Sequence, residues 1–514
     1  MGKITCNTGA TVIGVSVWDR IIIIILVAAG IEAAIFYADY WFFGGHRTNL
    51  VFFIILSYAI FRGVIRSMAS WVFFLFVKIP ALPIVIQTKE PVDILTTAMP
   101  GEPFEMFDIT LKAIAAITWP HTTYLLDGGN DAKLMALCKE TGAAHVDCRG
   151  VKGAKGGKIN HCLATVAQSP FVLVLDPDHI PKPDFLDRVV PLLTADKKLA
   201  FVQVVQAYYN FDKNVVAHAA AEQTFGFYGP LQIGLEGLGM PIAIGANCTF
   251  RRKALDSIGG HAVHLAEDAC TSLRLHAAGW KSRYLPYRAS EGLVPEDLNA
   301  FYKQQIKWAR GLFDLFTGEF RRLFFKLNGW QRFYYFFAGT FYLTGAVTCL
   351  TLLLPPILLF FQIYAIEMPL SEFLIHARPY IGVSYLISVF IQRWYSDKRE
   401  HGFPWRSMFL EKGTWHIYTL AFFYTLINKE VVWLPTSKAG AAGATGAART
   451  SPMLVAPHLV MIFLNIAGVV FALTTYHRID HGTVLMMFFA ALNVLSLIPC
   501  TLWGLVPARM RRNA

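Results

Sequence analysis

What most constrains this chain is where its apolar residues fall: they gather into long runs near both ends and leave residues 87–310 with the mixed pattern of a soluble α/β domain. A helix needs about 20 apolar residues to cross the hydrocarbon core of a bilayer. Residues 21–42 supply that length with only Glu32 and Asp39 charged, which is too long for the apolar part of a signal peptide. Residues 50–77 suffice as well, although Arg62 and Arg66 inside them must face protein, snorkel, or mark the end of the span. Residues 333–366 contain no charged side chain. That is more than one crossing needs, so residues 333–340 are expected along the interface and Pro355 and Pro356 within the spanning part. Residues 453–476 and 483–506 are two further spans, followed by Arg509, Arg511 and Arg512.

Two shorter runs, 379–392 and 413–428, are not separable by hydropathy. About six crossings keep both ends and the central domain on one side if one crossing precedes Lys398 and none lies between there and Pro452. The arginines at the end assign that side to the cytoplasm. The composition agrees with a membrane protein, 55% hydrophobic and 16% charged. Positive-inside bias accounts for the net charge of +11, and no basic stripe interleaved with stacking aromatics points to nucleic acid. The eight cysteines form no Cys-x-x-Cys pair, which argues for reduced, buried thiols over a zinc site or a disulfide framework.

Within the central segment, short β-rich runs at 92–97, 122–126, 143–148, 171–175 and 199–205 alternate with helix-length stretches. Such alternation predicts βαβ units around a mainly parallel sheet, in which ligands bind beyond the carboxyl ends of the strands. Asp127 follows one strand, and Asp176-Pro177-Asp178 follows another. Carboxylates at a spacing of two can hold magnesium or manganese against a diphosphate, although each aspartate could equally be a turn residue. Lys155-Gly156-Gly157-Lys158 opens a helix, with glycines that let backbone approach a ligand and lysines that meet phosphate. Further on come Gly245-Ala246-Asn247-Cys248-Thr249, then Ala266-Glu267-Asp268, then Gln304-Gln305-Ile306-Lys307-Trp308. Leu312, Leu315, Phe316, Phe320 and Leu323 recur at helical spacing, as in a helix lying on a bilayer.

This ordered set resembles the processive, membrane-embedded family 2 glycosyltransferases, and among them bacterial cellulose synthase catalytic subunits and related β-glucan synthases. The resemblance covers about residues 90–440 and implies a GT-A-like domain at 87–310 inserted between transmembrane regions. By the same analogy residues 1–86 carry two spans, 311–340 the interfacial helices, and 341–514 the remaining spans with a gating loop near 433–452. It implies that Asp127 contacts the uridine, with Leu126 standing where the family has a first aspartate, and that Lys155 lies near the uracil. Asp176 and Asp178 would bind the diphosphate and its metal, Mg2+ or Mn2+. Asp268 takes the place of the general base, with Ala266 where the family has threonine. Gln304 and Lys307, the latter in an arginine position, would meet the donor and its departing diphosphate, and Trp308 would stack under the acceptor sugar. Thr436 and Lys438 would close a gating loop over bound nucleotide.

The implied activity is an inverting UDP-sugar hexosyltransferase that polymerises a β-glucan from UDP-glucose and passes it through the membrane. Synthesis of an amino-sugar polysaccharide of hyaluronan, chitin or poly-N-acetylglucosamine type, or transfer of one sugar to a lipid, are the alternatives. The partners implied are the UDP-sugar, the growing polysaccharide and the lipid bilayer. Analogy adds a periplasmic or cell-wall subunit and a plasma (inner) membrane location with a cytoplasmic catalytic domain.

Overall fold

The computed structural model describes residues 14–81, 89–429, 431 and 452–505, with the backbone of 4–5 and 11–12. The predicted gating-loop residues Thr436 and Lys438 lie outside the described residues.

The central segment contains ten strands: β1 (Val92–Ala98), β2 (His121–Asp127), β3 (Ala144–Asp147), β4 (Phe171–Val174), β5 (Ile180–Pro181), β6 (Leu199–Val204), β7 (Ala207–Tyr208), β8 (Cys248–Arg251), β9 (Lys281–Leu285) and β10 (Ser290–Gly292). Seven form one sheet in the order β9-β6-β8-β4-β1-β2-β3. All neighbours are parallel except β8, which runs antiparallel to both β4 and β6. The predicted parallel strands are therefore present, and one reversed strand is threaded through their middle. β1, β4 and β6 are buried along their whole length, which is why they show no alternation of apolar and polar residues. The one carboxylate inside β1, Asp93, accepts hydrogen bonds from the Ser169 backbone (2.7 Å) and hydroxyl (2.8 Å). A small second sheet, β5-β10-β7, lies past the carboxyl end of β4 and brings residues 178–181, 207–208 and 290–292 together.

Among the described residues six helices are long and apolar enough to cross a membrane: Val17–Phe43, Leu50–Phe74, Gly329–Phe361, Leu370–Trp394, Met453–Thr475 and His481–Leu505. Of the two short runs, the first belongs to a span. The helix Leu370–Ile391 carries Pro379 in its interior and begins nine residues before it, with Glu372, His376 and Arg378 in its early turns. Those charges and the proline hide the helix start from hydropathy. The second run forms the 12-residue helix Trp415–Leu426, about 18 Å long and too short to cross.

The apolar run after the catalytic segment breaks in two, with helix Gly329–Gly339 separated from helix Thr344–Phe361 by a tight turn. A broken helix leaves carbonyls without partners. Arg62 and Arg66 of the second span supply them: Arg62 donates to Thr340 O (2.6 Å) and the Thr344 hydroxyl (3.0 Å), and Arg66 to Phe337 O (3.0 Å). Both arginines face protein.

Candidate active site

The site forms where the carboxyl ends of β1 and β4 meet the loops after β6 and before β8. Asp178 is buried, and one of its oxygens accepts Leu293 N–H at 3.1 Å while the other lies 3.3 Å from His179 Nδ1. On the far side of that imidazole, Gln206 Nε2 donates to His179 Nε2 at 2.8 Å, which leaves the ring proton on Nδ1, facing Asp178. Gln206 Oε1 in turn accepts from Asn247 Nδ2 at 3.0 Å, and the Ser290 hydroxyl donates to Asn247 Oδ1. Asn247 is fully buried with φ of +59°, a left-handed conformation asparagine tolerates. Asp176, Asp178 and His179 present ligand atoms within 4.8 Å of one another. With the His179 ring nitrogens engaged by Gln206 and Asp178, the two hard carboxylates of Asp176 and Asp178 are the groups that fit a divalent cation, one that keeps further positions for phosphate oxygens.

Lys155 opens the helix Ala154–Thr165 and is buried. Its ammonium donates to Asp176 and to the Gly245 carbonyl and stands 4.0 Å from Glu267. Burial alone would lower its pKa, but Asp176, Glu267 and Asp268 outweigh it and the pKa rises. The lysine is thus a fixed cation among carboxylates. Asp268 lies in the first turn of helix Glu267–Ala277, where its Oδ1 accepts Ala269 N–H at 2.7 Å. Burial raises its pKa against the pull of that N–H and of Lys155, and burial with the neighbouring Asp268 charge pushes Glu267 up to about 7. The other oxygen of Asp268 lies 3.3 Å from where a Cβ on Gly245 would stand, and Gly245 has φ of +84°. Glycine here lets backbone and base approach closely.

Gln304, Lys307 and Trp308 share one face of helix Leu298–Leu315, three and four residues apart. Asp297 caps this helix through Ala300 N–H at 2.9 Å. Gly311, one turn further along, abuts the acidic loop: a Cβ there would stand 2.9 Å from Ala266 N and 3.0 Å from Ala266 Cβ. The helix carrying Trp308 and the loop preceding Asp268 are therefore packed backbone to backbone. Because the helix runs unbroken to Leu315, the predicted boundary at 310 falls inside one rigid element.

All these groups line one cavity of about 760 Å³: Lys155, Asp176, Asp178, Asp268, Gln304, Lys307 and Trp308. The same cavity continues past Trp308 to Phe316, Phe337, Phe341 and Tyr342, and to Arg66, Ser67 and Ser70 of the second span.

Two predicted features differ. The glycines of the Lys155-Gly156-Gly157-Lys158 stretch do not open backbone to a ligand. A Cβ on Gly156 or Gly157 would strike the carbonyl of Ala262 or Lys152, so they serve close packing of the helix on its neighbours. Lys158 does not point into the cavity but donates to Ala98 O at 2.7 Å, tying down the end of β1. Asp127 is buried outside the cavity lining, where it accepts from Gly129 N–H (2.7 Å) and Asp131 N–H (2.6 Å) and lies 3.0 Å from His145 Nε2. Sequence reasoning missed His179 and Gln206 and named Asn247 only as part of the 245–249 motif, without a role. Of the two missed residues, only His179 left a signal, its position directly after Asp178.

Residues 171–473, more than half of the chain, match the family model described as glycosyl transferase family group 2. The chain belongs to that family. With its six apolar helices, this family 2 glycosyltransferase is a multi-pass membrane protein. It is 31% identical over 249 residues to a cellulose synthase catalytic subunit [UDP-forming] of Komagataeibacter sucrofermentans, covering 46% of this chain and 33% of that protein. It is 26% identical over 408 residues to the cellulose synthase catalytic subunit [UDP-forming] of Pseudomonas fluorescens, covering 77% and 53%. The alignments thus span about a third to a half of these relatives. Among solved structures, a mannosyltransferase from Pyrobaculum calidifontis in complex with GDP-Man and Mn2+ aligns over 73% of this chain and all of its own, at 15% identity and a TM-score of 0.45.

Proposed function

We propose that this glycosyltransferase is a processive, inverting β-hexosyltransferase that uses UDP-glucose to extend a β-glucan and feeds the product into its own membrane helices. The observation that carries this reading is the continuity of one cavity from the carboxylate cluster, past Trp308, to residues of the second span and the helix break at 337–342. An enzyme that transfers one sugar and releases it has no need of such an extension.

In this reading Asp176 and Asp178, with His179 at their side, hold a divalent cation, Mg2+ or Mn2+. When bound, that ion supplies charge neutralisation of the diphosphate. Lys155, fixed by Asp176 and the Gly245 carbonyl, keeps a positive charge beside the carboxylates. Asp268 takes the proton of the acceptor hydroxyl as that oxygen attacks the anomeric carbon and the bond to the diphosphate breaks. Burial raises its pKa, which makes its carboxylate a stronger base than an exposed aspartate. Lys307 balances the leaving group as a point charge, where an arginine would offer a planar fork. Trp308 stacks under the acceptor sugar, with Gln304 beside it. Asp127 organises the loop after β2 at the uridine end, and Thr436 and Lys438 belong to the gating loop.

The chain divides accordingly into a catalytic segment (87–310), an interfacial segment (311–340) and two membrane regions (1–86 and 341–514). We place the catalytic segment in the cytoplasm and the spans in the plasma (inner) membrane, with a periplasmic or cell-wall subunit as partner.

The test is label incorporation by purified protein in lipid, offered UDP-glucose, UDP-N-acetylglucosamine and UDP-glucuronate separately and together. The expected result is polymer from UDP-glucose alone, lost on chelation and restored by magnesium or manganese. Polymer that needs UDP-N-acetylglucosamine would instead assign an amino-sugar polysaccharide.

A further inference from the structure

A second pocket, of about 510 Å³, lies apart from the catalytic cavity, where the second span, β9 and the turn before helix Gly329–Gly339 converge. Its lining includes Lys78, Lys281, Lys326 and Arg283, against a single carboxylate, Glu236. Glu236 is buried and already committed: it pairs with Arg283 and accepts Tyr284 N–H at 2.7 Å. Lys78, Lys281 and Lys326 are all exposed, and none has a carboxylate at ion-pair distance among the described residues. Lys78 interacts electrostatically with Glu236, but four cations around one concavity outnumber that single carboxylate and leave a local positive field that a phosphate relieves.

The position of the pocket says where such a phosphate comes from. Lys78 stands four residues beyond Phe74, the end of the second span, and Lys326 three residues before the helix that leads into the third. Between them, Trp330 packs edge-on against Phe76 with ring centroids 4.9 Å apart and stays 40% exposed, and Phe325 is 86% exposed. Exposed aromatics at the ends of spans mark the level of lipid head groups. The pocket wall is fixed to the span: Gly234 and Gly237 pack directly on the carbonyls of Phe73 and Phe76, where any side chain would collide. The cations are thus held at the membrane surface by packing that exists before any ligand arrives.

We propose that this pocket is a phosphate site that holds the head group of an anionic phospholipid. Lys78, Lys281 and Lys326 supply the charge, and Trp330 and Phe325 lie along the path of the acyl chains. A free phosphate offers the same charge without those chains.

The experiment uses the full chain in nanodiscs of phosphatidylcholine with a minor share of phosphatidylglycerol, followed by detergent exchange and native mass spectrometry of retained lipid. The wild type is expected to retain phosphatidylglycerol in preference to phosphatidylcholine. Lys326→Gln should lose about fivefold of that preference and Lys281→Gln/Lys326→Gln roughly 25-fold, from the usual attraction of a surface lysine to an anionic leaflet. Lys133→Gln/Lys139→Gln, on the distant helix Ala132–Thr141, should lose none. Equal retention of both lipids by the wild type, or unchanged retention in the single and double pocket variants, would overturn the assignment. A pocket that binds inorganic phosphate, read by 31P line broadening that the double variant lacks, but shows no lipid preference would also overturn it in favour of a soluble ligand. No sugar transfer is measured, so either result stands apart from the proposed polymerase activity.

Discussion

The two ends of the catalytic cavity are built on different principles. At the sheet end a connected set of polar groups is held by fixed partners: Lys155 on Asp176 and Gly245, Asp178 on Leu293 N–H, His179 on Gln206, Gln206 on Asn247. Preorganised dipoles of this kind stabilise charge as it develops and need no rearrangement during reaction. At the membrane end the lining turns to Phe316, Phe337, Phe341 and Tyr342, and the cation there, Arg66, is occupied by Phe337 O and lies over the Phe337 ring at 4.3 Å. Such a wall presents mainly aromatic faces. The contrast separates a polar, preorganised region from an aromatic one within a single cavity, with Trp308 in the lining between them.

The largest expected effect breaks the sheet end alone. Asp268→Asn should lower transfer by roughly 10²- to 10⁴-fold, the range for losing a general base. Donor binding, read by calorimetry with UDP, should persist. Next, Trp308→Ala should uncouple the two ends: about fivefold weaker use of a soluble oligosaccharide acceptor, in line with roughly 1 kcal/mol for a lost aromatic contact, and shorter product on sizing gels. Gly311→Val should sharpen the comparison, because it forces helix Leu298–Leu315 away from Ala266 and so disturbs both ends at once. A destabilisation of about 1–3 kcal/mol, typical of overpacking, should appear in thermal unfolding together with loss of activity.

The smallest effects concern protons. Asp268 must be ionised to act, and burial raises its pKa, so kcat/KM should fall on the acid side from a pH above the ordinary carboxylate range. Lys155→Met, which removes a nearby cation, should move that limb to higher pH still. Asp127 behaves oppositely: burial opposes ionisation, yet His145 and the N–H groups of Gly129 and Asp131 prevail and lower its pKa. A lowered folded-state pKa gives stability that is present above the unfolded value and is lost as pH falls through the folded one. His145→Ala should therefore shift acid unfolding to higher pH while leaving transfer at neutral pH largely intact.

Much of the sheet end was legible in the sequence. β1, β2, β4 and β6 fall within a residue or so of the predicted runs because each is a short run rich in β-branched and apolar residues, and β2 and β4 stop where a carboxylate appears. Asp176, Asp178, Lys155 and Asp268 were readable because each sits beside such a stop or in a first helical turn. The rest depended on contacts between distant segments. The His179–Gln206–Asn247–Ser290 chain joins four separate segments of the chain, and Arg62 and Arg66 answer a helix break some 270 residues away. The role of Gly156 and Gly157 was misread because a packing glycine and a ligand-facing glycine look alike until the neighbour is known. The apolar run at 379–392 is the later part of a helix that begins at Leu370 and passes through Pro379.

The central claim is that transfer and passage share one continuous cavity, and its most direct test is a pulse-chase. Purified protein in nanodiscs would receive a brief pulse of labelled UDP-glucose and then a large excess of unlabelled donor, with product size followed over time. The account predicts that label moves into steadily longer chains which stay with the enzyme during the chase, and that Asp268→Asn yields none. Label that remains in short, freely released products, or in a lipid-extractable monosaccharide, would contradict it.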